Sequence, residues 1–226
     1  MDKRMTRFGA AAAAVAIAAL LIAAACAIAL PHKAYADGSG ALAYSLGSDG
    51  TTKTEYTTTD QALADGYDGK VIYLSSDWNL TSLLTIAEGK TITIDMNGHK
   101  IANNGTSGVV RVSKKANLTL KGSQKKDFTY SGYSSDDGSK KDFSVTTAGL
   151  VTGGSAADSG GGVILAESAT LTLDGVSVAG NNATNYGGGI ECAGKGCNVY
   201  LKNAATVQHN KATYGAGLGI GYDHKD

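Results

Sequence analysis

Proline is almost missing from this 226-residue chain: there is one, at position 31. Its near-absence fits a backbone whose N–H groups all enter hydrogen-bond ladders, where proline has nothing to donate. Phenylalanine (3) and tryptophan (1) are scarce, whereas tyrosine (11) and glycine (31) are common. The i, i+3, i+4 apolar spacing of an amphipathic helix is also missing from the repeated segments, which excludes a helical solenoid. Neither sign of charge is in excess, with 20 basic and 20 acidic side chains and no basic stripe. That balance excludes nucleic acid as a natural partner.

Repetition is what the sequence does contain. Gly160-Gly161-Gly162-Val163 returns as Gly187-Gly188-Gly189-Ile190, then as Gly215-Ala216-Gly217-Leu218. Leu171-Thr172-Leu173 returns as Val199-Tyr200-Leu201, and Val178-Ala179-Gly180-Asn181 as Val207-Gln208-His209-Asn210. The period of 27 to 29 residues marks units that bury an apolar face only by stacking on their neighbours. Each unit holds three short alternating runs, and alternation points every second side chain to one face. Three strands per unit with a turn after each describe one coil of a parallel β-helix. A β-propeller, the competing all-β repeat, needs four antiparallel strands and about 40 residues per blade.

Residues 1–36 read as an export signal. Lys3, Arg4 and Arg7 form a basic start, Ala10 to Leu30 is an apolar run, and Ala34-Tyr35-Ala36 offers small residues before a cleavage after Ala36. The run is long enough to span a bilayer, so an uncleaved anchor is the alternative. Cys26, preceded by Ala23-Ala24-Ala25, gives only a weak lipoprotein signal. Without residues 1–36 the chain has 16 basic and 19 acidic side chains, a net charge of −3. The exported part keeps two cysteines, Cys192 and Cys197, with four residues between them. An even count outside the cell favours a disulfide, and two free thiols are the alternative. A metal site would need more ligands than these two. No metal ligands, cofactor site or catalytic residues are assigned.

Residues 37–57 are polar and Gly/Ser/Thr-rich, and are expected to be flexible. The solenoid domain is expected over 58–226. Thr58 and Gln61 have capping-box spacing, predicting a short helix over 58–66 that covers the first coil. Val71-Ile72-Tyr73-Leu74 and Thr91-Ile92-Thr93-Ile94-Asp95 read as strands, and Asn97-Gly98 as a turn. Ser123 to Ala148 breaks the rhythm with Lys, Asp and Ser around scattered aromatics, and reads as an insertion loop on one face.

The stretch Val71–Lys100, with Thr-Ile-Thr-Ile-Asp-Met-Asn-Gly-His at 91–99, resembles the opening coils of bacterial surface proteins with pectate-lyase-like β-helices. The later repeats are similar to those of polymorphic outer-membrane adhesins, which carry Gly-Gly-Ala/Ile and Phe-x-x-Asn tetrads. Gly188-Gly189-Ile190 matches the first, and Val178-x-x-Asn181 and Val207-x-x-Asn210 the second, with Val in place of Phe. The resemblance covers about residues 58–220. It implies an all-β fold, a right-handed three-sided parallel β-helix, and a secreted or cell-surface adhesin or binding scaffold toward glycan or protein.

The same fold hosts polysaccharide lyases and glycoside hydrolases, the latter needing two carboxyl groups about 5 to 9.5 Å apart. Asp95 and Asp174 occupy matching outward strand positions, but Lys121 and Lys202 occupy that position in other coils. Alternating charges down stacked strands are a structural arrangement. Asp136-Asp137 lies in the insertion, a poor platform for precise chemistry, and His99 reads as a turn residue. An enzyme is therefore the alternative, and a passive surface stalk a third reading. Phe128, Tyr130 and Tyr133 of the insertion are the ligand-contact candidates.

Register follows from the alternation. Ile92, Ile94, Val110, Val112, Leu118, Leu120, Val163, Leu165, Leu171, Leu173, Ile190, Val199, Leu201, Leu218 and Ile220 are expected inward, and Thr93, Thr119, Thr172 and Tyr200 outward. Lys121 should neighbour Asp174, and Asp174 should neighbour Lys202. Gly122, Gly175 and Asn203 should form a column of left-handed turns. Leu218-Gly219-Ile220 begins a new coil with only six residues after it. Residues 37–226 are therefore expected to be the first part of a longer surface protein and to self-associate through an uncapped last coil.

Overall fold

The computed structural model describes residues 34–35 and 40–221. Apart from Ala34 and Tyr35, the expected export signal lies outside the described residues. Ala34–Tyr35 pairs antiparallel with Asn79 and Leu80.

The chain is predominantly β, and its strands form several separate sheets rather than one. Three of these are built largely of parallel strands. The first holds Val71–Leu74, Thr91–Asp95, Asn117–Lys121, Thr170–Asp174 and Asn198–Lys202. The second holds Trp78–Leu80, Lys100–Asn103, Leu150–Thr152, Ser177–Ala179 and Thr206–Gln208. The third holds Leu84–Ile86, Val110–Val112, Val163–Leu165, Ile190–Cys192 and Leu218–Ile220. The chain visits the three sheets in that order five times.

The inward list is buried from Ile92 through Ile190, and Thr93, Thr119 and Thr172 are half-exposed on the other face. The last circuit differs: Val199 is half-buried, while Leu201, Leu218 and Ile220 are 52%, 45% and 72% exposed. Their register matches the earlier circuits. Among the described residues no further strand lies over them, so the same inward positions stay open.

Lys121 is in register with both Asp95 and Asp174, and Asp174 with Lys202. The charge column therefore stands, and it is structural. The Asp95 carboxylate is buried and accepts from the backbone N–H groups of Asn97 and Ser123, with Lys121 Nζ at 3.8 Å. Asp174 instead accepts from the Asn203 amide. The turn column is only partly as expected. Gly175 and Asn203 are left-handed, at φ 71° and 51°, but Gly122 is not. Glycine is required at 122 for a different reason: a Cβ there would run into Ala148.

The helix is present at Thr59–Tyr67, its first turn capped by Thr58 Oγ1, which accepts from the Gln61 N–H. Gln61 reaches back to Thr57 rather than to Thr58. Ala62, Leu63 and Gly66 bury one face of the helix. The segment expected to be flexible before it carries two strands, Ala43–Leu46 and Lys53–Tyr56, which extend the first sheet antiparallel. Burial explains the order: Leu42, Ala43 and Tyr56 lie in the core, and Tyr56 donates to Asp65 of the helix. Leu42 and Ala43 are adjacent and Tyr56 lies well beyond them in the sequence, so these anchors do not register as alternation.

Cys192 and Cys197 are free thiols, Cys192 buried and Cys197 half-buried. Burial, with the neighbouring Cys197, pushes the Cys192 thiol up to about 12. Cys197 Sγ donates to the Gly194 carbonyl oxygen at 2.9 Å. Treating folded, reduced residues 37–226 with iodoacetamide at neutral pH is expected to label Cys197 and not Cys192, since the thiolate is the nucleophile. Equal labelling of both in an intact-mass time course would refute the buried placement of Cys192. Oxidation of the pair to a disulfide would appear in the same spectra as a loss of two hydrogens.

Candidate functional site

Ser123–Ala148, expected as an insertion loop, carries regular structure. Lys126–Tyr133 and Lys140–Thr147 pair antiparallel through eight registered positions as a β-hairpin. The alternation is present in the sequence but masked by charge: Phe128 and Tyr130 on one arm share a face with Phe143 and Val145 on the other. The tip closes through Ser134 N–H donating to the Ser139 carbonyl.

This apolar face lies on the outer surface of the second sheet. Tyr130 is 5% exposed and packs with Leu150 and Ala179, outward residues that would otherwise face water. Its hydroxyl is 2.7 Å from His209 Nδ1 and accepts from Gln208 Nε2 at 2.9 Å. The His209 ring stacks on Phe143 with centroids 3.7 Å apart, and its carbonyl accepts from the Tyr133 N–H. His209 itself is left-handed, at φ 51°, where the preceding repeat has Gly180 at 70°. A non-glycine in this region carries strain that the surroundings must offset, and here the clamp on the hairpin does so.

Tyr130→Phe is expected to remove both hydroxyl contacts at a cost of about 1–2 kcal/mol. Hydrogen exchange should then accelerate about tenfold across 126–147 and stay unchanged in the core strands. Uniform acceleration across the chain, or none, would show that the hydroxyl does not hold the hairpin.

Grooves flank the hairpin. One, of 340 Å³, lies beside the Lys126–Tyr133 arm and is lined by Asn79, Lys100, Asn104, Tyr133, Lys140 and Asn182 among others. A second, of 460 Å³, lies between the hairpin tip and the last circuit, lined by Tyr133, Gln208, His209 and Lys211 among others. Lys211 Nζ sits 5.3 Å from the centre of the Tyr133 ring. At the hairpin base, His99 Nδ1 and the Lys100 N–H both contact the Asp77 carboxylate, at 3.3 and 3.1 Å. Burial pushes the Asp77 carboxyl up, but these contacts outweigh it and hold the group below the usual range. His99 closes the Asn97-Gly98 turn by donating its N–H to the Met96 carbonyl, in keeping with a turn residue.

Of the contact candidates, Tyr130 serves docking, Phe128 is half-buried against the same cluster, and Tyr133 stands at the junction of the two grooves. Sequence reasoning missed Gln208, His209 and Lys211, which lie nearly 80 residues from the hairpin arm they meet. One signal was available: a histidine stands where the repeat otherwise has glycine. Among the described residues no cluster of three or more His, Cys, Asp or Glu side chains could hold a metal ion, and no helix is long and apolar enough to cross a membrane. No family model, curated protein or solved structure matches this chain.

Proposed function

We propose that this chain is a secreted or cell-surface right-handed three-sided parallel β-helix, and that its hairpin-covered face binds an extracellular glycan or protein. The architecture draws support from the repeated passage of the chain through three parallel sheets in one order, and from the resemblance of residues 58–220 to bacterial surface β-helices. The basic, apolar and small-residue succession of residues 1–36 supports export. The hairpin clamped by Tyr130, Phe143 and His209 carries the binding reading, because it walls one polar groove and one mostly apolar groove on a rigid sheet. A passive stalk has no need of that clamp. A glycosidase needs two convergent carboxyl groups, and no Asp or Glu lines either groove.

The test is a glycan and surface-protein array probed with residues 37–226, beside a version in which a short Gly-Ser linker replaces residues 126–147. Binding should be lost with the hairpin while the β circular-dichroism signal persists. Equal binding by both would refute a hairpin-face site.

The last circuit supports a separate expectation. Tyr200, Leu201, Tyr214, Leu218 and Ile220 are the large exposed hydrophobics among the described residues, and all lie in this circuit. Such an edge is a template for association, so the isolated chain should self-associate with rising concentration, and Leu218→Lys with Ile220→Lys should weaken this. A concentration-independent monomer by light scattering would refute it.

A further inference from the structure

The groove beside the Lys126–Tyr133 arm contains one sign of charge. Lys100 and Lys140 line it, and no carboxylate does, in a chain that without residues 1–36 has a net charge of −3. The side-chain amides of Asn79, Asn104 and Asn182 enter none of the side-chain hydrogen bonds found among the described residues, and neither does the Lys140 ammonium. Lys100 shares Asp77 at 3.7 Å, a contact long enough to leave donor capacity. Lys140 is directly opposite Tyr133 in the hairpin ladder, which places it at the junction with the second groove. That groove adds Lys211 and again no carboxylate. Three amides, two ammonium groups and a phenol around one cleft supply many N–H and O–H donors. The amide oxygens are the main side-chain acceptors of that set. A neutral sugar, rich in hydroxyls that both give and accept, would leave the Lys140 ammonium without an anionic partner and Lys100 with only the Asp77 carboxylate at 3.7 Å. A ligand bearing oxyanions would satisfy them with charge-assisted bonds.

We propose that this groove takes an anionic polysaccharide, held by oxyanions on its sugar rings, with Lys140, Lys100 and the amides of Asn79, Asn104 and Asn182 as donors. The proposal rests on the binding reading of the hairpin face and narrows its ligand to an acidic glycan. Carboxylate and sulfate groups share this chemistry, and separate probes distinguish them.

The experiment measures binding of residues 37–226 to a polyuronate, a sulfated dextran and neutral dextran by calorimetry at low and high salt. Binding to at least one acidic polymer is expected, and salt should weaken it. Lys140→Glu and Asn182→Asp should each weaken binding about tenfold or more. Lys195→Glu, an exposed lysine outside both grooves, should change it less than about twofold. Preference for the polyuronate assigns carboxylate, and preference for the sulfated polymer assigns sulfate. Equal losses in the Lys140 and Lys195 variants would overturn the proposal by showing a general charge effect. Binding of neutral dextran with no response to Lys140→Glu would overturn it while leaving a hairpin-face site intact. Acidic-polymer binding that survives replacement of residues 126–147 would overturn both.

Discussion

Asn181→Ala is expected to lose about 3 kcal/mol or more of stability, the larger part from buried polar groups left without partners. Asn181 is fully buried between circuits, and every polar atom of its side chain is in use. Oδ1 accepts from the Gly154 N–H at 3.0 Å. The two N–H groups of Nδ2 serve three acceptors, the carbonyls of Val151 and Ala179 and Oδ1 of Asn210, so one N–H is shared. Asn210 Oδ1 also accepts from the Asn181 backbone N–H at 2.9 Å, and its own amide donates to Val178. Truncation therefore strands one buried backbone donor and weakens three acceptor contacts at a site no water can enter cheaply. Asn181→Asp should fare no better, because a carboxylate would face carbonyl oxygens where an amide donates. Urea unfolding followed by circular dichroism measures both. A loss below about 1 kcal/mol for the Ala variant would mean that the ladder is not what ties successive circuits together.

Gly161→Ala is the second large effect, expected at about 3 kcal/mol or above, at the severe end of overpacking. A Cβ at 161 would collide with the Gly188 carbonyl oxygen and stand 2.5 Å from that of Asn182. Both obstacles are backbone in the next circuit, and both residues are held in ladders: the Gly188 carbonyl accepts from the Gly162 N–H, and Asn182 is in parallel register with Ser155. Neither can move without breaking the registry of the stack. Gly175→Ala is the comparison. There the nearest atoms to a Cβ are 3.6 and 3.7 Å away, so only the left-handed backbone at φ 71° is penalised. That costs about 1 kcal/mol. Equal melting temperatures for the two variants would show that close approach is not what the Gly-Gly-Gly runs provide.

The alternation in Thr91–Asp95, Asn117–Lys121 and Thr170–Asp174 determined which side chains enter the core, and the repeat spacing determined which strands lie in register. Both are local facts: period-two alternation fixes the face, and equal spacing fixes the neighbour. The Thr58 cap and the placement of Asp95 and Lys121 in one column were legible for the same reason. The hairpin was not. Its apolar face, Phe128, Tyr130, Phe143 and Val145, is interrupted by lysine and aspartate on the opposite face, so composition read as loop while the pleat sorted the two faces apart. Only the tertiary structure decided that Tyr130 is an anchor rather than a contact residue. Its partners Gln208 and His209 reach it through folding alone, and no spacing rule connects positions so far apart in the chain. The groove follows from that docking: Lys140 and Tyr133 belong to the insertion, and Asn79, Lys100, Asn104 and Asn182 to three different circuits. Stacking makes neighbours of residues one period apart, whereas a hairpin laid across the stack makes neighbours that no period encodes.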